Sequence, residues 1–254
     1  RAHNAQIRPA ILDARARVVG VDFDEGSIEE ERRRATLFTT SLPPLWDRFV
    51  ITLEDRQFGS PYSLRWYRGV DVLCLPVGVL RKRGCSTLPM IAAKLLMDGQ
   101  HKQKTGELTT FGRKLIEIGT APAIVERFSP EEILRLVATH VAYAHGGGGD
   151  VVGIEAAAMT LFGKNAARIT AAQSAILAAA VRRPVVLSEA ETAQSMARWE
   201  YLIGRAQYAV KLVLSANEQS AVLAELESLK QSAPQPGAGF EDIALPFRAK
   251  ANLI

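Results

Sequence analysis

Ser129-Pro130-Glu131-Glu132-Ile133-Leu134-Arg135-Leu136-Val137 decides how this chain is read, because it spells out the start of a helix. A serine followed three residues later by a glutamate closes a capping box, and proline is tolerated at the first helical position. Ile133, Leu134, Leu136, Val137 and Val141 then recur at helical spacing and mark an apolar face. The same signals recur along the chain. Thr170-x-x-Gln173 opens an Ala-rich helix that ends before Pro184, and Ser188-x-x-Glu191 and Ser215-x-x-Glu218 open two more. Upstream, Ser86 or Thr87 caps a helix with Pro89 in its first turn, running to about Leu96. Pro43-Pro44 opens a helix that carries Trp46, Phe49, Val50 and Leu53 on one side and Glu54 near its end. The expectation is a mainly α fold. Any β element is small and near the N-terminus, where Ile11-Leu12-Asp13 and Val18-Val19-Gly20-Val21 read as short strands.

The 254 residues suffice for one large domain or two small ones. With 48% hydrophobic and 23% charged residues, the chain has material for a core and is not of disordered composition. The net charge of +4 favours anionic partners. Arg81, Lys82, Arg83, Lys94, Lys102, Lys104, Arg113 and Lys114 fall in one stretch, opposed by Asp98 and Glu107. Aromatic residues make up 7% and do not interleave with these cations, so no nucleic-acid partner is expected. Cys74 and Cys85 are too few for a disulfide scaffold or a metal cluster, and the four histidines lack zinc spacing. No apolar run reaches the roughly eighteen residues of a membrane span.

Some segments keep two readings. Gly69 to Leu80 is strongly apolar and is followed by Arg81-Lys82-Arg83. It reads as a buried strand or core helix, or as a flap that faces a membrane and meets lipid phosphates through the cations. His145-Gly146-Gly147-Gly148-Gly149-Asp150 reads as a flexible loop between helices and lacks the Gly-Lys-Ser/Thr ending of a nucleotide loop. Glu29 to Arg34 is a solvated helix face or loop, and Ser232 to Gly239 is a linker.

The chemistry centres on Glu54-Asp55-Arg56-Gln57-Phe58 and Arg113-Lys114-x-x-Glu117, with Gly84-Cys85-Ser86-Thr87-Leu88 and Lys94 between them. Two carboxylates flanked by cations suit acid–base work on a phosphorylated sugar donor: one takes a proton while the cations hold the leaving phosphates. Each residue also has a plainer role. Glu54 is a helix-end carboxylate beside Arg56, Glu117 is one helical turn from Arg113, Lys94 is a solvated lysine, and Arg198 is a structural ion-pair partner.

Taken in order, these motifs resemble the peptidoglycan glycosyltransferases of family 51, the polymerase domains of bifunctional penicillin-binding proteins and of monofunctional transglycosylases. The similarity runs from about residue 10 to about residue 206. It includes Leu42-Pro43-Pro44 through Phe58, Gly84 to Leu88 with Lys94, Arg113-Lys114-x-x-Glu117-x-x-x-Ala121, Ile133-Leu134-x-Leu136, Gly153 to Ala158 with Phe162-Gly163-Lys164, and Arg198 with Leu202-Ile203. The resemblance implies a lysozyme-like helical domain with a smaller membrane-associated lobe. It places an N-terminal extension over 1–40, the glycosyltransferase-like domain over 41–210, and a C-terminal helix, linker and tail over 211–254. The implied reaction is polymerisation of lipid II with inversion at the anomeric carbon and release of undecaprenyl diphosphate, at the extracytoplasmic (periplasmic) face of the bacterial inner membrane, with the anchor outside this chain. Glu54 matches the general base. Glu117 matches the second carboxylate and the ligand of a divalent cation, Mg²⁺ or Mn²⁺. Asp55, Phe58, Ser86, Thr87, Lys94, Arg113, Lys114 and Arg198 match substrate-binding positions. The implied partners are lipid II, the growing glycan strand, the membrane surface and other cell-wall synthesis proteins.

The chain departs from the family pattern at several polar positions. Pro61 and Ser63 stand for a histidine and a glycine, Met90 and Ile91 for two glutamines, Val137 and Thr139 for a tyrosine and an asparagine, and Val125 for a glutamate. Such swaps remove hydrogen bonds. They motivate a second expectation, a catalytically impaired module that binds lipid II or a partner within a cell-wall complex. A lysozyme-like hydrolase is a third, opposed by cations that a neutral glycan does not require.

Overall fold

The computed structural model describes residues 29–30, 33, 41–59, 86–105, 110–146, 149–187 and 192–231. They form eight α-helices: α1 (Trp46–Glu54), α2 (Leu88–Thr105), α3 (Thr110–Arg127), α4 (Pro130–His140), α5 (Ile154–Phe162), α6 (Ala171–Ala180), α7 (Ala193–Val213) and α8 (Ala216–Leu229). Three short strands accompany them, β1 (Ala142–Gly146), β2 (Gly149–Val152) and β3 (Val185–Val186). The mainly helical content agrees with a lysozyme-like helical domain. The expected strands near the N-terminus, the apolar segment 69–80, both cysteines and the linker after Ser232 lie outside the described residues. Glu29, Glu30 and Arg33 are helical, and Arg33 pairs with Glu30 at 2.6 Å.

The chain divides into two compact units, one of residues 1–37 and 57–137, the other of residues 38–56 and 138–254. In the first, α2 packs on α3. Thr87 starts α2 by accepting the Met90 amide at 3.4 Å, which settles the choice between Ser86 and Thr87. The helix runs on past Leu96 to Thr105, a correction of the expected end. Met90 and Ala121 are buried against each other with Ile118 beside them, so Met90 belongs to the core of this unit. Pro122 sits inside α3 and has no amide to give to the Ile118 carbonyl. The capping box that opens α4 forms as expected. The Ser129 amide donates to Glu132 at 2.7 Å and the Glu132 amide to Ser129 Oγ at 3.3 Å.

In the second unit α6 is the central element. Every residue from Ala172 to Ala180 is buried, and α1, α7 and α8 pack around it. Alanine suits this place because it favours the helix and lets neighbours approach closely. Trp46, Phe49 and Val50 on α1 are fully buried, so the apolar face read from the sequence is the packed one. Thr170 caps α6 through Gln173 and also donates its hydroxyl to Glu225 on α8 at 2.7 Å. Trp199 on α7 donates to the Leu229 carbonyl at 2.7 Å. These bonds tie α8 to the helices before it. Its own capping box, Ser215 with Glu218, forms as read. The helix expected from Ser188-x-x-Glu191 begins instead at Ala193, capped by Thr192 with Ser195, while Ser188 to Glu191 lie outside the described residues.

The sheet is a second correction. Where a flexible loop between helices was expected, β1 and β2 form an antiparallel hairpin with His145 opposite Asp150, and β3 joins β1 in parallel. Among the described residues, the β structure stands mid-chain. Gly153 follows β2 at φ +91°, and a Cβ there would meet the Thr139 carbonyl oxygen at 3.1 Å, so glycine is required on both counts. Glu155 accepts the Ala166 amide at 3.0 Å and holds the turn after α5. The Gly153-Ile154-Glu155 run is thus structural.

Candidate active site

Glu54 is the last residue of α1, the helix anchored by Trp46, Phe49 and Val50. Its side chain is 2% exposed, and Oε1 accepts from Arg205 Nη2 on α7 at 2.5 Å. Burial pushes the Glu54 carboxyl above its ordinary range. The charges of Arg205 and Arg182 and the Arg205 hydrogen bond pull it down without cancelling that rise. The result is a carboxylate with raised affinity for protons, held in one orientation. That is what a general base requires.

Beside it an open cavity of ≈ 380 Å³ is lined by Leu53, Tyr201, Gly204, Arg205 and Tyr208. Two guanidinium groups face the tyrosine rings, Arg183 at 4.9 Å from the Tyr201 centroid and Arg56 at 5.7 Å from that of Tyr208. Arg56 also donates to the Tyr208 hydroxyl and, through Nε, to the Thr52 carbonyl. Arg56 therefore does not serve as the Glu54 partner that the plainer reading gave it. Asp55 is buried at the end of α1. Arg198 donates to the Pro184 carbonyl at 3.1 Å, a contact that braces the turn before β3.

The other candidates belong to the first unit. Lys114 on α3 donates to Ser86 Oγ at 2.7 Å and to Glu117 Oε2 at 2.6 Å, with its side chain 32% and that of Glu117 12% exposed. Ser86, Lys114 and Glu117 thus form one cluster, built by α3 and the residue before the Thr87 cap. The Glu117 partner is Lys114, three residues back. The Arg113 side chain, expected in that role, lies outside the described residues. Lys94 is exposed on α2, Thr87 is buried as the helix cap, and Phe58 is buried. Ser86 and Glu117 engage two of the three N–H donors of Lys114, which leaves one for a further acceptor.

Arg205 and the two tyrosines were not singled out from the sequence. The signal was present: residues 198, 201, 205 and 208 repeat at helical spacing along α7, opposite the buried Trp199, Leu202, Ile203, Ala206 and Ala209. What the spacing lacked was the partner, which stands 151 positions away.

Comparison with known proteins bears on the family of the chain. A family model described as transglycosylase matches residues 23–207, a span that holds Glu54, Arg205 and the Ser86, Lys114 and Glu117 cluster. The chain is 31% identical over 145 residues to a biosynthetic peptidoglycan transglycosylase of Nitrobacter winogradskyi, covering 57% of this chain and 60% of that protein. It is 28% identical over 166 residues to a biosynthetic peptidoglycan transglycosylase of Rhizobium meliloti, covering 65% of each. The matches thus span less than two thirds of these relatives' length.

Proposed function

The chain belongs to the transglycosylase family, and on that premise we propose that it polymerises lipid II into glycan strands with release of undecaprenyl diphosphate. The observation that carries this reading is the buried Glu54, held by Arg205 beside an open cavity. The two curated relatives, both biosynthetic peptidoglycan transglycosylases, supply the reaction class.

In this reading Glu54 takes the proton from the acceptor sugar's 4-hydroxyl as that oxygen attacks the anomeric carbon of the donor. The carbon inverts, and the bond to the diphosphate breaks. Lys114, Lys94 and Arg113 meet the departing diphosphate, with the Ser86 hydroxyl near it, while the buried Thr87 serves as the helix cap and not as a donor. Asp55 and Arg198 are substrate contacts of the unit that holds Glu54, and Phe58 is one of the unit that holds Lys114. The charges stand in place before the leaving group develops its own, which lowers the barrier without reorganisation.

A divalent cation fits the donor set in one way. Glu117 offers a single carboxylate, and among the described residues no three His, Cys, Asp or Glu side chains group to hold a metal. Mg²⁺ tolerates one protein carboxylate when phosphate oxygens and water complete its shell. Glu117 would hold it, and when bound it would neutralise charge on the diphosphate. Among the described residues no helix is long and apolar enough to cross a membrane. The substrate's lipid chain places the work at a membrane surface, and we propose the extracytoplasmic one.

A second reading rests on Met90. Its burial against Ala121 puts an apolar side chain where the family has a polar one, as in a domain that binds lipid II without turning it over. The deciding experiment incubates purified protein with lipid II, with and without Mg²⁺, and follows glycan strands on a gel. Strands formed support the polymerase. Bound but unconsumed lipid II supports the binding module.

A further inference from the structure

Arg205 is oddly placed for an arginine that only stabilises the fold. Its Nη2 meets Glu54 at 2.5 Å, and Nη1 is 3.5 Å from the Tyr201 hydroxyl. Its Nε is buried and, among the described residues, has no hydrogen-bond partner. Buried donors are nearly always satisfied, and leaving one unmade is costly. The guanidinium thus gives up one of its own bonds to sit where it does. What the position secures is the carboxylate.

We propose that Arg205 is a positioning residue for Glu54: it fixes the direction of the carboxylate beside the cavity and holds its charge ready to accept a proton. This rests on the polymerase reading where activity is concerned, but the placement of Glu54 can be measured apart from it.

Among the described residues, the surroundings leave few other groups to do this. Of the elements packed on α1, the segment Ala171–Ala180 contains no ionisable side chain. Arg182, in the turn after it, acts on Glu54 through its charge. On α7 the facing groups are Arg205, Tyr201 and Tyr208, and after α1 come Asp55 and Arg56. Arg56 is engaged by Tyr208 and Thr52. Among these, Arg205 joins Glu54 by both charge and hydrogen bond. Arg205 also lines the cavity, which places the carboxylate it holds beside that space. Lysine at this place keeps the charge and loses the planar fork.

The test compares the full chain with Arg205→Lys, Arg205→Gln and Arg205→Leu. The Glu54 carboxyl is followed by ¹³C NMR across pH and assigned with Glu54→Gln. Tryptophan fluorescence identifies folded variants, and Arg205→Lys and Arg205→Gln carry the comparison where Arg205→Leu does not fold. The expected result is a Glu54 midpoint that moves to higher pH in the Gln and Leu variants, with Lys nearer wild type. In lipid II polymerisation the acid limb moves the same way. Turnover at neutral pH falls about tenfold or more, within the range general-base catalysis contributes, while KM changes little. Unchanged midpoints in all variants would overturn the proposal even where polymerisation is normal. Wild-type protein that forms no glycan would overturn the polymerase reading instead, and the NMR titration would still decide the role of Arg205.

Discussion

Replacing Arg205 with leucine should destabilise the second unit in a way that depends on pH. The Glu54 side chain is 2% and that of Arg205 20% exposed, so water screens the pair poorly. With charge centres about 4 Å apart and an effective dielectric of about 20, the attraction is about 4 kcal/mol. Arg182 remains nearby and offsets part of the loss. The expected cost at pH 8 is therefore about 2–4 kcal/mol, at or below the range for stranding one partner of a buried ion pair. The pH dependence follows from the direction of the Glu54 shift. Its proton affinity is already raised, so its contribution to stability is complete below the ordinary carboxylate range and is lost as pH rises through the folded value. Removing Arg205 takes away a lowering influence and raises the affinity further, so the deficit should grow with pH and shrink in acid. Urea unfolding followed by tryptophan fluorescence reports this, since Trp46 and Trp199 are both buried in the same unit. Adding Glu54→Gln to Arg205→Leu should recover part of the loss, because no buried charge is then left unpaired. An equal deficit at pH 4.5 and pH 8, or no recovery in the double variant, would refute the reasoning.

Other perturbations separate chemistry from folding. Lys114→Met removes the bonds to Ser86 and Glu117. The pair is partly exposed, so stability should change by less than about 1 kcal/mol, while polymerisation should fall about 10²-fold, as for a lost oxyanion donor. A parallel loss of stability and activity would make Lys114 structural. Thr170→Ala removes the cap of α6 and the bond to Glu225, and should cost about 1–2 kcal/mol in urea unfolding. Gly153→Ala should cost about 1–3 kcal/mol, because φ is +91° and the Thr139 carbonyl blocks the added methyl. A neutral result there would mean that the turn after β2 can take another backbone shape.

The helix starts were legible because a capping box is local chemistry. Ser129 with Glu132, Thr170 with Gln173 and Ser215 with Glu218 all close as their spacing implied. The reach of α2 was not: a helix expected to run to about Leu96 continues to Thr105 and takes in Gly99, a poor helix former. The hairpin was hidden by its glycines. Ala142-Tyr143-Ala144-His145-Gly146 has no β-branched residue, and its pairing with Val185-Val186 spans some forty positions. Glu54 and Glu117 stood out as carboxylates within motifs. The partner of Glu54 did not, because a contact 151 residues distant leaves no local pattern. Glu117 illustrates the converse: a four-residue spacing pointed to Arg113, and the bond the structure describes is to Lys114, three residues away.

The central claim is that Glu54 performs base chemistry on a glycan acceptor. Polymerisation of lipid II by the purified chain beside Glu54→Gln tests it most directly. Glutamine can still accept from Arg205, so the variant should stay folded, yet it cannot take a proton. The expected result is a loss of about 10²–10⁴-fold in strand formation with unchanged tryptophan fluorescence. Polymerisation by the folded variant within about threefold of wild type, far short of a general base's contribution, would contradict the account.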